Sequence, residues 1–404
     1  MEQRLKNKKI LLGVTGSIAA YKACMVVREL QFLGAEVKVV MTQSAQEFIN
    51  PLTFESLTKH EVVTRLFPDN RSVKTRHISY AEWADLVLIC PATANIIGKV
   101  ASGIADDFLS TVIMASRAPV MFAPAMDLRM VQNKIYLSNC HKLESFGYTI
   151  LSTERGELAS GLSGKGRLAD PRVIVNYSIQ LLLGSTDLKG KKIVVTAGPT
   201  REPLDPVRYL TNRSTGKMGF ALAEEVALRG AEVCLISGPS HLIPVNYIKY
   251  IEVETAEQMT SAVLKESEDS HAVIMAAAVA DYTPGQISGQ KIKKRTDNFT
   301  LKLKKTVDIL SQLGKNKQNR ILVGFSLETE NTRENTIKKL QKKNLDMICL
   351  NNPSDKGGGF GTETNKLTLF YPHKKKKELL VMPKWKAAEI IVDEIEGMLN
   401  LGNS

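Results

Sequence analysis

Short apolar runs alternate with amphipathic stretches along the first half of the chain. The runs are KKILLGVTG, AEVKVVMT, ADLVLICPAT and APVMFAPAM, and a helical pattern over residues 21–33 separates the first two. Alternating strands and helices predict a parallel sheet with helices on both faces, where ligands bind beyond the carboxyl ends of the strands. The first half is therefore predicted to be a doubly wound α/β domain.

The same alternation starts again at Lys191. KKIVVTAGPT, a helical pattern over residues 219–229, AEVCLISGP, HAVIMAAAVADY, ILVGFSLET and LDMICLNN follow one another. Between the halves, residues 182–190 contain the Gly, Ser and Asp that are typical of a linker. We therefore expect an α/β protein with two Rossmann-like doubly wound domains, residues 1–187 and 188–404.

Length and composition agree with this division. A chain of 404 residues is too long for one ordinary core, and 43% hydrophobic with 24% charged residues is typical of a globular protein. No apolar run approaches the roughly 20 residues needed to span a bilayer, and the charged N-terminus lacks the apolar region of a signal peptide. We expect a cytoplasmic protein without a membrane segment.

Cysteines and net charge narrow the function classes. The five cysteines are scattered without C-x-x-C spacing, which argues against a disulfide framework and against a zinc site. The net charge of +12 is compatible with nucleic acid, an anionic membrane surface or small anionic substrates. Nucleic-acid binding would use KKKK at residues 374–377, but only 6% of residues are aromatic, few for base stacking. We expect no nucleic-acid partner.

Both halves open on a strand that runs into a glycine-containing turn, GVTGSIAAYKA and TAGPTREP. Neither turn contains the three glycines of GxGxxG, so the evidence for NAD(P) is weak. Gly16 and Ser17 at a helix start nevertheless supply backbone N–H groups, a hydroxyl and the positive end of a helix dipole. These groups suit a phosphate.

Polar residues follow two later strands of the first half. Thr42 and Ser44 end the strand of VMTQSA, and Thr93 and Asn95 end the strand of CPATAN. Strand ends of this fold converge on one crevice, where hydroxyl and amide groups suit a ribityl phosphate and the edge of a flavin. The alternative is that each residue only caps a helix, which is the usual role of Ser, Thr and Asn there.

A set of motifs identifies a family for this half. GVTGSIAAYK, VMTQSA, HIS, PATAN, APAM and GELASGLSGKGRL occur in the order and spacing of the homo-oligomeric flavin-containing cysteine decarboxylases. Residues 8–175 resemble that family, in particular phosphopantothenoylcysteine decarboxylase. The resemblance implies a flavodoxin-like fold, trimers with FMN at subunit contacts, and His77 as the catalytic base. The FMN-binding residues that it implies are Gly16, Ser17, Thr42, Ser44, Ala92, Thr93 and Asn95.

The chemistry of that family accounts for a flavin and a base. Loss of CO2 from an aminoacyl cysteine leaves a carbanion, so the family first oxidises the C–S unit with FMN to a thioaldehyde that accepts the electrons. A histidine can accept a proton during that oxidation near neutral pH.

Two positions depart from the family pattern, both where the substrate is expected beside Met126. The motif usually written PAMN ends here in Asp127, and the cysteine of LACG is here Ser160. An ionised Asp127 would repel the substrate carboxylate unless its pKa were raised or a cation intervened. Ser160, a far weaker acid than a thiol, would relay the final proton from water, or another group donates it. We interpret both as a lineage variant that retains activity.

The second half carries cationic and acidic segments of its own. TREPLDPVRYLTNRSTGKMG places Arg208, Asn212 and Lys217 before a helix N-terminus, where such donors suit phosphorylated ligands, although a solvated basic loop is the alternative. AAAVADY is expected to be an apolar strand ending in Asp281, and KIKK at residues 291–294 follows. A carboxylate beside lysines suits a Mg²⁺–nucleotide site.

The order TAGPT, NRSTGKMG, AAAVADY, KIKK, GFSLET and KKNLD resembles phosphopantothenate–cysteine ligase over residues 188–395. The resemblance implies that CTP activates 4'-phosphopantothenate as an acyl cytidylate and that L-cysteine displaces CMP, with paired ligase domains and assembly up to a dodecamer. Lys291 is expected to stabilise charge at phosphorus, Asp281 to hold Mg²⁺, and Arg208 and Asn212 to bind substrate. The CTP-binding residues implied are Ala277, Asp281, Lys291, Val307, Asp308, Ile309, Leu310, Phe325, Lys339 and Lys343.

Lys339 and Lys343 lie four residues apart on a predicted helix, so they are expected to share one face and bind the same anion. A non-catalytic subunit is the remaining alternative, because some relatives of the flavin domain regulate other proteins. The retained His77 and the full set of ligase motifs argue against it.

Overall fold

A computed structural model describes residues 3–67, 75–245, 247–293, 300–327, 331–351 and 361–401. The chain forms two units, Met1–Gly184 and Ser185–Ser404, each with its own sheet and apolar core. The predicted boundary after residue 187 lies close to the junction of these units.

The first unit contains seven strands and eight α-helices in its described part. The strands are β1 Lys9–Val14, β2 Glu36–Met41, β3 Leu86–Ala92, β4 Val120–Pro124, β5 Thr149–Ile150, β6 Glu154–Glu157 and β7 Ser163–Arg167. The helices are α1 Ala20–Phe32, α2 Pro51–Thr58, α3 Arg76–Trp83, α4 Ala94–Ala101, α5 Phe108–Ala115, α6 Leu128–Val131, α7 Lys134–Ser145 and α8 Pro171–Leu183.

Five parallel strands of this unit form a sheet in the order β2-β1-β3-β4-β5. This is the strand order of flavodoxin-like folds, so the predicted fold class is confirmed for the first half. Every residue of β3 and β4 is buried, because helices cover both faces of a parallel sheet. A separate hairpin, β6–β7, precedes α8.

The second unit contains fourteen strands and five α-helices in its described part. The strands are β8 Lys192–Ala197, β9 Arg201–Pro203, β10 Tyr209–Thr211, β11 Glu232–Ser237, β12 Lys249–Glu252, β13 Ala272–Met275, β14 Tyr282–Pro284, β15 Leu303–Lys305, β16 Ile321–Leu327, β17 Met347–Asn351, β18 Thr364–Asn365, β19 Leu367–Phe370, β20 Lys376–Glu378 and β21 Met382–Pro383. The helices are α9 Lys217–Leu228, α10 Ala256–Glu266, α11 Ile309–Lys315, α12 Thr332–Lys342 and α13 Lys384–Leu401.

The main sheet of the second unit runs β12-β11-β8-β13-β16-β17-β19-β20. The first six strands are parallel, and β19 and β20 are antiparallel additions at one edge. Counted along the chain, the parallel strands have the order 3-2-1-4-5-6 of the dinucleotide-binding fold. The second half is therefore Rossmann-like, as predicted.

The predicted strand that ends in Asp281 is wrong in extent. Strand β13 ends at Met275, and the chain then leaves the sheet. The backbone N–H of Ala277 donates to Thr196 Oγ1 at 3.1 Å, and that of Ala280 donates to Thr200 Oγ1 at 3.0 Å. These side chains replace the strand ladder, so Asp281 lies at the end of an irregular segment.

The predicted helix that carries Lys339 and Lys343 is also shorter than expected. Helix α12 ends at Lys342, and Lys343 is the residue that caps it. The N–H of Lys343 nevertheless donates to Lys339 O at 3.0 Å, so the two residues remain one helical turn apart, and a shared anion stays a prediction.

Four of the five cysteines, all free thiols, are buried, in agreement with the expected core role. Among the described residues, no helix combines the length and the apolar character that a membrane crossing requires.

Helix α9 lies unusually close to strand β8. An ideal Cβ on Gly219 would lie 2.6 Å from Ala197 Cβ and 2.7 Å from Thr196 O. Both are parts of a buried strand that has little room to move. Only glycine therefore allows this contact.

We expect Gly219→Ala to lower the free energy of unfolding of the second unit by about 1–3 kcal/mol, because the added methyl overpacks the contact with β8. Gly397→Ala in α13 is the matched control, since nothing lies within 4 Å of its Cβ position. That change should raise the same free energy by about 0.5–1 kcal/mol. Urea unfolding, with hydrogen exchange in α9 and α13 as the probe, measures both changes in the free energy of unfolding. Equal changes in the two variants would contradict the close contact.

Candidate active sites

The turns after β1 and β2 meet at Gly16 and Ser44, as predicted. An ideal Cβ on Gly16 would lie 2.6 Å from Ser44 Cβ and 3.0 Å from Ser44 O. The N–H of Thr42 donates to Val14 O at 3.0 Å, which continues the contact between the two strands by one residue. Glycine is therefore required at position 16 for these segments to touch.

Thr15 links the end of β1 to the end of β3. Its buried hydroxyl donates to Pro91 O at 2.7 Å and accepts the N–H of Thr93 at 3.0 Å. This bridge holds Ala92 and Thr93 beside the turn that carries Gly16. The sequence analysis missed Thr15, although a threonine between an apolar strand and a glycine turn is a usable signal.

The capping alternative accounts for only part of the set. Thr93 accepts the N–H of Ile96 at 3.4 Å and so caps α4, and Ser17 Oγ accepts the N–H of Ala19 at 3.3 Å. The side chains of Thr42, Ser44 and Asn95 make no hydrogen bond to another described residue. Their polar groups are therefore available to a ligand.

The backbone of the first turn offers a different set of N–H groups from the one expected. The N–H of Ser17 is already donated to Thr15 O at 2.9 Å. The N–H groups of Gly16 and Ile18 donate to no acceptor among the described residues. These two groups, with the start of α1, can bind an anion such as a phosphate.

His77 lies in the first turn of α3 and is half-buried. Aromatic contacts hold this helix: the ring of Tyr80 packs edge-on against Phe108 at 5.5 Å, and Lys38 Nζ lies 4.2 Å from the Trp83 ring centroid. No hydrogen bond within the described residues joins His77 to the residues predicted to bind FMN. Its role as a base stays a prediction.

Asp127 and Ser160, the two departures from the family pattern, are hydrogen-bonded to each other. Ser160 Oγ donates to Asp127 Oδ2 at 2.6 Å, while Asp127 Oδ1 accepts the N–H of Arg129 at 3.1 Å and so caps α6. Ser160 lies in the loop of hairpin β6–β7. The same hairpin is held beside Met126, whose N–H donates to Gly166 O at 3.0 Å.

The pKa of Asp127 is not raised, which was one of the two conditions under which it would tolerate a substrate carboxylate. The hydrogen bond from Ser160, together with the N–H of Arg129, lowers the pKa of the Asp127 carboxyl. Asp127 is therefore ionised at neutral pH, and its anchoring of the hairpin is lost only as pH falls through this lowered pKa. A raised pKa, which would relieve repulsion of a substrate carboxylate, is not found.

In the second unit, three glycines form a turn that the linear motif does not reveal. Gly198 directly follows β8, Gly216 precedes α9 with φ of 83°, and Gly219 in the first turn of α9 packs on β8. An ideal Cβ on Gly216 would lie 3.2 Å from Gly198 N, so the two glycines touch. Gly216 and Gly219 thus supply the glycines that the contiguous motif lacks, and hairpin β9–β10 is inserted between them and Gly198.

Asn212, just after that hairpin, binds the segment that follows β13. Its Nδ2 donates to Ala278 O at 2.9 Å. At the other end of the segment, the N–H of Thr306 donates to Asp281 O at 3.0 Å. Val307 directly follows Thr306 in the chain. The structure therefore brings Asn212, Ala277, Asp281 and Val307 into one connected region.

Asp308 and Lys343 form an ion pair at the start of α11. Lys343 Nζ lies 2.9 Å from Asp308 Oδ2, and Asp308 Oδ1 accepts the N–H of Ser311 at 3.0 Å. Burial raises the pKa of Asp308, but the hydrogen bonds from Lys343 and Ser311 lower it further, so its net pKa is below the ordinary value. Lys343 thus already has an anionic partner within the chain.

The remaining predicted CTP residues differ in their exposure. Ile309 is buried, and Leu310 and Phe325 are partly buried against the apolar cores of the unit, so their side chains stabilise the fold. Val307 and Lys339 are exposed.

Arg208 and Lys291 form a second group around a residue that the sequence analysis missed. Asp205 lies in the loop between β9 and β10, and its carboxylate pairs with Arg208 at 2.6 Å. Arg208 Nη2 also donates to Ile292 O at 2.7 Å, next to Lys291. The signal for Asp205 was its place in LDPVR, three residues before an arginine.

The basic residues before α9 are not all available to a ligand. Lys217 donates to Gly361 O at 2.8 Å and also pairs with Glu363. A cavity of about 360 Å³ lies against this loop and is lined by Asn212, Arg213, Ser214 and Lys217 among others. Lys294, the last residue of KIKK, lies outside the described residues.

Asp281 is exposed, and no cluster of three or more His, Cys, Asp or Glu side chains suited to a metal is found in the described part of the chain. Mg²⁺ at nucleotide sites is commonly held by one or two carboxylates plus phosphates, a pattern that one aspartate can serve. Two lysines of the KKKK run have intramolecular partners, because Lys376 pairs with Glu378 and Lys377 pairs with Glu394 at 2.7 Å.

Comparisons with known proteins cover nearly the whole chain. Residues 1–183 match the family described as Flavoprotein, and residues 188–399 match the DNA/pantothenate metabolism flavoprotein C-terminal domain. The chain is 46% identical over 397 residues to the coenzyme A biosynthesis bifunctional protein CoaBC of Bacillus subtilis, covering 98% of each chain. It is 41% identical over 395 residues to the protein of that name from Escherichia coli, covering 97% of each.

We expect Asp127→Ala to loosen the loop of hairpin β6–β7, because Ser160 loses its acceptor. The loss of this one hydrogen bond should make amide exchange at residues 158–162 roughly two- to tenfold faster. Asn133→Ala is the control, since Asn133 also caps a neighbouring helix, through the N–H of Ile135 at 2.8 Å. Equal exchange of the loop in the two variants would contradict the anchor.

Proposed function

Because the chain belongs to the family of bifunctional coenzyme A biosynthesis proteins, a decarboxylase joined to a ligase, we propose that its two units hold the two active sites separately. Residues 1–187 are the phosphopantothenoylcysteine decarboxylase. Residues 188–404 are the ligase that joins 4'-phosphopantothenate to L-cysteine with CTP. The observation that carries this proposal is the meeting of polar strand ends at the carboxyl edge of each sheet.

The residues after β1, β2 and β3 fit FMN. The N–H groups of Gly16 and Ile18, which have no acceptor among the described residues, suit its phosphate. The side chains of Ser44 and Asn95 also have no hydrogen-bond partner there and can bind the flavin. FMN, when bound, supplies hydride transfer to and from the substrate's C–S unit. The residues proposed to hold it are Gly16, Ser17, Thr42, Ser44, Ala92, Thr93 and Asn95.

His77 is proposed to accept the substrate proton during oxidation. Its half-buried position at a helix start leaves the imidazole without a partner in the described chain. Asp127 and Ser160 are proposed to line the substrate site with Met126. Since the Ser160 hydroxyl donates its hydrogen to the Asp127 carboxylate, this geometry supports a role in closing the hairpin more than a role as terminal acid.

We expect His77→Asn to lower CO2 release from phosphopantothenoylcysteine by about 100-fold or more, because the variant lacks the proposed base. Flavin absorbance and cysteine-dependent CMP release should stay at wild-type values. His141→Asn, at an exposed histidine on α7, is the matched control. Unchanged CO2 release from the His77 variant would rule out the assignment.

The second unit is proposed to activate a carboxylate at the edge of its sheet. The phosphopantothenate carboxylate attacks the α-phosphate of CTP, pyrophosphate leaves, and the cysteine amine then displaces CMP. Arg208 and Asn212 are proposed to bind the acyl cytidylate, and Asp281 to hold Mg²⁺. CTP is proposed to contact Ala277, Asp281, Lys291, Val307, Asp308, Ile309, Leu310, Phe325, Lys339 and Lys343.

Lys291 is proposed to stabilise the charge that develops at phosphorus. It is exposed and has no ion-pair partner in the described chain, so its ammonium is available to a phosphate. Trimers of the flavin unit, paired ligase units and a larger assembly of both belong to the same proposal. A cytoplasmic location is also part of it.

We expect Lys291→Gln to lower CTP-dependent CMP release by about 100-fold, because it removes a donor to the transition state. Decarboxylation of supplied phosphopantothenoylcysteine should be unchanged, since that site lies in the other unit. Lys265→Gln, at an exposed lysine on α10, controls for the loss of one charge. Loss of both activities in a folded protein would contradict the separation of the sites.

A further inference from the structure

Asp205 is a buried carboxylate to which the sequence analysis assigned no role in the ligase site. Its side chain has no exposed surface, although it lies in the loop between β9 and β10. Oδ1 accepts the N–H groups of Val207 and Arg208, both at 2.9 Å. Oδ2 accepts Arg208 Nε at 3.0 Å and the N–H of Ile292 at 3.1 Å. A carboxylate with this many donors fixes the geometry of all of them.

Arg208 and Asp205 together bind the backbone of Ile292, and we call this pair of side chains the brace. Its Nη2 pairs with Asp205 Oδ2 at 2.6 Å and donates to Ile292 O at 2.7 Å. Both main-chain groups of Ile292 are therefore bound, the N–H by Asp205 and the C=O by Arg208. The N–H of Ser288 donates to Leu204 O at 3.0 Å, which attaches the same segment a second time.

Lys291 lies between these two attachment points, directly before Ile292. Its own side chain is exposed and makes no hydrogen bond or ion pair with a described residue. Within the described chain, only the position of the Lys291 backbone therefore determines where its ammonium can lie. A displacement of about 1 Å at a catalytic group is enough to reduce a rate on the order of 100-fold.

We propose that Asp205 is a positioning residue of the ligase, which holds Lys291 at the reacting phosphate through Arg208 and the backbone of Ile292. This inference rests on the proposed role of Lys291. Asp205 itself touches no substrate, because its two oxygens are occupied by N–H donors of the chain.

The charges of the brace suit a site for anions. Arg208 lowers the pKa of Asp205 far below its ordinary value, against the opposing effect of burial, and the N–H groups of Ile292 and Val207 add to the shift. Asp205 is therefore ionised at neutral pH. The Asp205–Arg208 pair is neutral as a whole, and Nη1 of Arg208 has no partner in the described chain, so it can still face a phosphate.

The test is a double-mutant cycle in the full-length flavoprotein. Asp205→Asn should lower kcat for CMP release about tenfold to 100-fold, with KM for 4'-phosphopantothenate changed less than about threefold. In the Lys291→Gln background the same change should have no further effect, within about twofold, because the residue through which the brace acts is gone. Asp269→Asn, at an exposed aspartate paired with Lys192, is the matched control and should leave both backgrounds unaltered.

Three results would overturn the inference. An equal loss in both backgrounds would show that Asp205 acts independently of Lys291, through the fold or through Arg208, and an unchanged kcat in Asp205→Asn would exclude positioning. An unchanged kcat in Lys291→Gln alone would reject the proposed role of Lys291 and the brace with it, so the two failures are distinguishable.

Asp205→Glu keeps the charge if Asp205→Asn fails to fold. The longer side chain should retain Arg208 but displace Ile292, so kcat should fall while the unfolding midpoint stays near wild type. Faster amide exchange at Ile292 should accompany the lower kcat. Wild-type kcat with fast exchange at Ile292 would also overturn the inference.

Discussion

Backbone groups that leave a parallel sheet must find hydrogen-bond partners elsewhere, and threonine hydroxyls supply them at both sheet edges of this chain. Thr15 joins the end of β1 to the end of β3 in the first unit. Thr196 and Thr200 join the end of β8 to the segment after β13 in the second. These bonds decide which strand ends face a common space, and the candidate ligand residues lie on the segments that they hold.

The two units build their first turn in different ways. In the first unit, one glycine lets the turn after β1 touch Ser44. In the second, hairpin β9–β10 is inserted between Gly198 and Gly216, although the glycines still touch. The insertion hides the dinucleotide-binding pattern in the sequence. It also carries Arg208 and directly precedes Asn212, two of the residues proposed for the ligase, so one insertion changes both the motif and the chemistry of the edge.

The two departures in the flavoprotein half form one interaction. Taken singly, Asp127 would add a negative charge near the expected substrate carboxylate, and Ser160 would replace the acidic thiol that the resemblance predicts there. In the structure the hydroxyl of Ser160 donates to the carboxylate of Asp127, so each residue is the hydrogen-bond partner of the other. A hydroxyl that donates to an ionised carboxylate is held in place but is made a poorer acid. The pair is therefore better suited to hold the hairpin than to protonate an enethiolate.

The sequence alone determined the fold class and most of the candidate residues. Buried parallel strands need long apolar runs, and these runs, separated by helical patterns, predicted both sheets. Residues at strand ends identified Gly16, Ser44 and Thr93 as candidates, because parallel strand ends share one edge, and the cationic and amide donors before a helix N-terminus identified Asn212.

Tertiary structure decided how these residues are held. The bond between Asp127 and Ser160, the early end of β13 and the ion pair of Lys343 with Asp308 join residues far apart in the chain. Asp205 is the clearest case, because its donors come from its own loop and from Ile292, and no local pattern encodes that meeting. Hydrophobic periodicity is a local property and is legible in sequence, whereas the partner of a buried charge is fixed only when distant loops pack together.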